Sequence, residues 1–91
     1  MARTRSQMQY GDFQTPPALA RQVCRTLREA GVSPASVLEP TCGTGAFIRA
    51  ALEVFPHLSR VVGVDIDEAH LEQARASLPP DPRVTLLHAD V

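Results

Sequence analysis

The sequence predicts an α/β fold in which parallel strands alternate with helices. Three observations carry that expectation. Short apolar runs and helical stretches follow one another as helix, strand, helix, strand, helix, strand, the order that builds a parallel sheet through right-handed crossovers. The run Arg60-Val61-Val62-Gly63-Val64-Asp65 is apolar almost throughout, as suits a parallel strand buried on both faces. The first strand, Val37-Leu38, runs straight into a glycine-bearing turn that opens a helix. Such a junction presents backbone N–H groups and the positive end of a helix dipole to a ligand.

Taken in order, Met1 to Met8 is polar with Arg3 and Arg5, and residues 1–9 read as a disordered tail ahead of one partial domain, 10–91. Thr15 can cap the first helix, with Pro16 at its first position, where a missing N–H costs nothing. That explanation leaves Tyr10 and Phe13, just ahead of the cap, without a role. Ala18 to Ala30 carries Leu19, Val23, Leu27 and Ala30 at helical spacing, and Arg21, Arg25 and Arg28 are expected on the solvated face. Gly31 ends this helix, and Ser33-Pro34 turns into the first strand. The helix after Gly45 ends near Phe55, because Pro56 cannot continue it. Asp67 opens a third helix, running to Leu78, with Glu68 favourable to its dipole. Pro79-Pro80-Asp81-Pro82 then stops the chain before a third strand, Arg83 to Leu87.

The turn between the first strand and its helix reads Glu39-Pro40-Thr41-Cys42-Gly43-Thr44-Gly45. Gly43 and Gly45 permit positive φ or close backbone approach. A dinucleotide fingerprint would need a third glycine where Ile48 stands. Glu39 also argues against a pyrophosphate, since its carboxylate would face that anion in a region of low dielectric. The same carboxylate suits a ligand carrying an ammonium and a sulfonium. Asp65 closes the second strand twenty residues after Gly45, the spacing of an acid that accepts hydrogen bonds from ribose hydroxyls. Asp65 could instead cap the next helix, but Asp67 can do that as well, which leaves Asp65 for the sugar.

The run Glu39 to Phe47, EPTCGTGAF, resembles the glycine motif of class I S-adenosylmethionine-dependent methyltransferases. Its acid-Pro-x-Cys-Gly-x-Gly-x-Phe form is most similar to adenine-N6 DNA methyltransferases of restriction-modification systems. Thr41 stands where many members have the first glycine, a replacement typical of the adenine-N6 branch. The resemblance implies the N-terminal half of a Rossmann-like, doubly wound parallel sheet with strand order 3-2-1, and S-adenosylmethionine as cofactor. It implies cofactor contacts from Glu39, Thr41, Cys42, Gly43, Gly45 and Phe47. Phe13 and Thr15 would fold over the methionine end, Ile66 would pack on the adenine face, and Asp90 would accept from the adenine amino group. For Thr15 and Ile66, helix capping and ordinary core packing remain the alternatives.

Ninety-one residues with a net charge of −1 provide no global field for nucleic acid. All nine basic residues are arginine, which reads as genome composition. Cys24 and Cys42, with seventeen residues between them, form neither a zinc spacing nor a disulfide framework, so both are expected reduced and the compartment cytoplasmic. His57, His70 and His88 are scattered singly and read as surface or boundary residues. No signal peptide or membrane span is expected. A domain of the resembling family continues into a fourth strand whose end carries an acid or Asn, two prolines and an aromatic. That segment is not present in these residues, so no catalytic residue is assigned, DNA is expected to engage a C-terminal part, and this chain alone is expected to be inactive. Without its fourth-strand neighbour the first strand becomes an exposed edge open to self-association. The competing functions are methyl transfer to RNA, protein or a small molecule, and a non-catalytic cofactor- or partner-binding remnant. A nicotinamide dehydrogenase is disfavoured by Glu39 and Ile48.

Overall fold

Two adjacent prolines set where the first helix begins. The computed structural model describes residues 14–90; Tyr10, Phe13 and Val91 lie outside them. A residue before proline is pushed out of the helical region, so Pro16 is extended (φ −58°, ψ 138°) and helix α1 (Pro17–Glu29) starts at Pro17. No side chain caps it, so the expected Thr15 cap does not form. Its other end follows expectation. Gly31, at φ 96°, lets its own N–H reach Arg28 O at 2.9 Å and the Val32 N–H reach Leu27 O at 3.0 Å, a Schellman closure.

The outward face of α1 differs from the sequence reading. Ala20 and Cys24 are its buried residues, whereas Leu19, Val23 and Leu27 are exposed. Two of the arginines expected in solvent are at least partly exposed and also reach the next helix: Arg21 Nε lies 3.4 Å from Glu53, and an Arg28 N–H donates to Val54 O at 3.2 Å. Small side chains let two helix backbones approach closely, so the seam follows Ala20 and Cys24, and the bulkier stripe is left outside.

The remaining elements are β1 (Ser36–Glu39), α2 (Ala46–Val54), β2 (Arg60–Asp65), α3 (Glu68–Ser77) and β3 (Val84–His88). The strands form one parallel sheet in the order β1-β2-β3, which is 3-2-1 read from the other edge. Val37, Val61 and Val84 are paired in register, as are Glu39, Gly63 and Leu86. These positions share one face, because side chains alternate along a strand. That face holds the core, in which Ile48, Ala51, Leu71 and Ala74 from α2 and α3 pack with Val61. Gly63 permits the approach: a Cβ there would lie 2.6 Å from Ile48 Cδ1 and 3.0 Å from Leu86 Cδ2.

The opposite face carries Leu38, Val62, Val64, Thr85 and Leu87. Val64 is buried, but Leu38 is 65% and Leu87 47% exposed. The expectation that β2 is buried on both faces therefore holds for the helix-covered face and fails in part on the other. Among the described residues β1 pairs with β2 alone.

Candidate cofactor site

All three strands end on one rim. Glu39 closes β1, Asp65 closes β2 opposite His88, and Asp90 follows two residues later. The chain leaving β1 passes over the end of β2, where the Cys42 N–H donates to Val64 O at 2.8 Å. It then turns through Gly43 (φ 55°) and Gly45 (φ 94°), and Gly45 serves as the N-cap of α2. A Cβ at Gly45 would meet Leu78 Cδ1 at 3.1 Å, so this glycine supplies both the left-handed turn and room beneath α3.

Asp65 is the one buried charged side chain among the described residues, 5% exposed. Its Oδ2 accepts from the Gly43 N–H at 2.8 Å and its Oδ1 from the Asp67 N–H at 2.8 Å. The carboxylate thus fastens the glycine turn to the loop after β2. The sequence reading, which weighed Asp65 against capping of the next helix alone, did not foresee this backbone role. Asp67 caps α3 as expected, its Oδ1 accepting from the Ala69 N–H at 2.9 Å. An ionised carboxylate offers about four lone-pair sites, so two backbone donors leave Asp65 room for two more.

Burial pushes the half-buried Glu39 carboxyl above its ordinary value, and a hydrogen bond from the Thr41 backbone pulls the other way. Cys42 is buried, and its thiol is pushed up to about 11, first by burial and then by the charges of Asp65 and Glu39. A thiol held so high is mostly protonated near neutral pH and packs as a small apolar group. Thr41 is exposed, Phe47 packs against the core, and Ile66 is exposed beside Asp65. Asp90 is exposed at the strand-end rim. Phe13 falls outside the described residues.

The sequence reading gave no site role to two residues here, Gln14 and His70, the latter read as a surface or boundary residue. Gln14 Oε1 accepts from the Thr44 N–H at 3.0 Å and from its hydroxyl at 3.3 Å, while Gln14 Nε2 lies 3.4 Å from His70 Nε2. His70 stands between Asp65 Oδ2 and Asp67 Oδ2, 3.6 Å from each. Its place on the first turn of α3, three residues after Asp67, was the available signal. Thr15 takes a different position: it borders an open cavity of about 360 Å³ with Gln14, Thr44, Gly45, Arg49 and Ser77. That cavity lies behind the glycine turn and does not include Glu39, Asp65, Ile66 or Asp90. The acidic rim has the chemistry of a ligand site; the cavity is lined mainly by apolar surface. Among the described residues no group of His, Cys, Asp and Glu could hold a metal ion.

S-adenosylmethionine asks for an acceptor for its ribose diol, an anionic partner for its ammonium and a turn that tolerates close approach. The rim supplies Asp65 with acceptor capacity to spare, Glu39 and Gly43. Gly43 stands at φ 55°, and a Cβ there would press on Gln14 Oε1, so a side chain at this turn is strained. The residues fit the cofactor.

A family model described as a methyltransferase domain matches residues 37–91. Type II methyltransferase M.NspV of Nostoc sp. is 41% identical over 71 residues, covering 78% of this chain and 15% of the relative. Type II methyltransferase M.CvrRI of Paramecium bursaria Chlorella virus XZ-6E is 42% identical over 65 residues, covering 71% and 16%. The 23S rRNA (uracil(747)-C(5))-methyltransferase RlmC of Vibrio vulnificus is 36% identical over 67 residues, covering 71% and 17%. An S-adenosylmethionine-dependent methyltransferase from Mesorhizobium loti superposes with a TM-score of 0.58 at 36% identity, over 71% of this chain and 30% of that one. The chain thus spans 15–17% of the length of these curated relatives. With its parallel sheet, its glycine turn and its acid at the end of β2, the chain belongs to the class I S-adenosylmethionine-dependent methyltransferases.

Proposed function

We propose that these residues form the cofactor-binding part of a methyltransferase that modifies DNA at adenine N6. The observation that carries the cofactor assignment is the buried Asp65 carboxylate, held by the Gly43 N–H at the strand-end rim. The DNA assignment is supported by the acid-Pro-x-Cys-Gly-x-Gly-x-Phe form of Glu39 to Phe47 and by two relatives named Type II methyltransferases.

When bound, the cofactor supplies an electrophilic methyl group on a sulfonium. This chain's residues bind and orient it. Asp65 accepts the ribose hydroxyls, Glu39 neutralises the ammonium, and the Gly43 turn allows close approach. Ile66 covers the adenine face and Asp90 accepts from its amino group. Thr41, Cys42 and Gly45 shape the turn, and Phe47 seats it on the core. Positioning of this kind lowers the barrier by removing the entropy of encounter. In such an enzyme the catalytic segment and the DNA contacts lie outside the part that these residues form. The acceptor base must leave the duplex, because its amino nitrogen is otherwise paired.

A second reading, transfer to RNA, is favoured by the similarity to RlmC. Incubating the intact protein with labelled cofactor and either duplex DNA or ribosomal RNA separates the two. Label in N6-methyladenine of DNA is the expected outcome. Label in RNA alone would establish the second reading, and transfer to neither would reject both.

A further inference from the structure

His70 joins three other segments around the cofactor rim: Gln14, the Gly43-Thr44 turn and the end of β2. The Thr44 backbone N–H can only donate, so Gln14 Oε1, 3.0 Å away, is the accepting end of that amide. The amide's NH₂ end therefore faces His70 Nε2 at 3.4 Å, so a neutral ring accepts there, although Asp67 Oδ2 also lies 3.6 Å from the same nitrogen. The ring proton is then on Nδ1, which faces Asp65 Oδ2 across 3.6 Å. Nδ1 is the one buried side-chain polar atom without a hydrogen bond among the described residues. The same Asp65 oxygen holds the Gly43 N–H.

We propose that His70 is a positioning residue for the cofactor: its Nδ1–H steers the Asp65 carboxylate, and its Nε2 ties that carboxylate through Gln14 to the glycine turn. The inference rests on Asp65 receiving the ribose. A buried donor that lacks a hydrogen bond costs free energy, and the aspartate is the acceptor within reach. A donor behind the carboxylate aims it; with the Gly43 and Asp67 N–H groups it takes three of about four acceptor sites, and the ribose diol shares the one that remains. His70 touches no reacting atom.

The test has two arms. At pH 8, long-range proton–nitrogen NMR of the intact protein should show His70 as the Nδ1–H tautomer. An Nε2–H tautomer would overturn the relay whatever the cofactor does. In the second arm, S-adenosylhomocysteine is titrated calorimetrically into wild type, His70→Leu and His70→Asn. The leucine variant removes both contacts and should bind about five- to tenfold more weakly, on the scale of one ordinary hydrogen bond. Asparagine keeps a donor near the Nδ1 position and should recover most of that loss. Equal affinity of wild type and His70→Leu, or no recovery in His70→Asn, would overturn the inference and leave the cofactor site standing. Absence of binding to wild type would reject the cofactor site, and this inference with it. Circular dichroism of each variant confirms that the fold is retained.

Discussion

The two ends of β1 and β2 and their two faces are built to opposite rules. At the carboxyl rim, polar groups are buried and satisfied: Asp65 takes two backbone N–H groups, Asp67 caps α3, and Gln14 covers Thr44. Away from the rim, apolar groups are exposed: Leu38 and Leu87 on the open side of the sheet, and Leu19, Val23 and Leu27 on the outer face of α1. A polar cluster of the first kind fixes a geometry, because each member is costly to leave unpaired. An apolar surface of the second kind adds little to the stability of these residues. The rim is therefore where substitutions should be felt, and the open side is where they should pass.

The largest expected effect is at Asp65. Asp65→Ala leaves the Gly43 and Asp67 N–H groups without their acceptor and removes the proposed diol contact. Stability should fall by about 3 kcal/mol, measured by urea titration. Affinity for S-adenosylhomocysteine should fall at least about hundredfold. An analogue lacking both ribose hydroxyls should lose a similar factor against the wild-type protein, which separates the contact from the folding cost. Wild-type affinity in the alanine variant would erase the distinction between rim and open side.

Next in size is the packing beneath the rim. Gly63→Ala drives a methyl into Ile48 and Leu86 and should cost about 1–3 kcal/mol. Adding Ile48→Val, which removes the Cδ1 atom 2.6 Å from that methyl, should restore part of the loss. Purely additive costs in the double variant would show that the close approach is not made there.

Glu39 sharpens the comparison through pH. Burial raises its carboxyl above the ordinary 4.5. A raised value in the folded state contributes stability that is complete below 4.5 and is lost as pH rises through the folded value. Pairing with an ammonium needs the ionised form, so cofactor affinity should run the other way, weakening on acidification from a pH above 4.5. Calorimetry from pH 7.5 to 5 checks this, and Glu39→Gln should flatten the profile. A profile unchanged in Glu39→Gln would remove Glu39 from the site.

The smallest effect is expected on the open side. Leu38→Lys should change stability by less than about 0.5 kcal/mol. Sedimentation should show less self-association than in the wild-type 91-residue chain, because a charge at the exposed edge blunts strand pairing. A loss as large as that of Gly63→Ala would mean that this face is packed.

Much of this arrangement was legible in the residues. The β2 boundaries, the capping role of Asp67, the Gly31 stop and the acid twenty residues beyond Gly45 all follow from local chemistry. What escaped depends on contacts between distant segments. Thr15 gave a sound capping signal, but Pro17 forced Pro16 into the extended state and took the helix start with it. The α1 stripe was read by bulk, whereas the seam with α2 selects Ala20 and Cys24 for their small size. Gln14 and His70, fifty-six positions apart, meet only once α3 lies beside the N-terminal segment. The structural work done by Asp65 could not be read from spacing, because it needs the Gly43 N–H brought over β2.

The most direct measurement is a crystal structure with S-adenosylhomocysteine. Both ribose hydroxyls are expected within about 3 Å of the Asp65 carboxylate, with its bonds to Gly43 and Asp67 kept. A ligand lodged instead in the cavity between Thr15, Arg49 and Ser77, with Asp65 contacting backbone alone, would contradict the assignment.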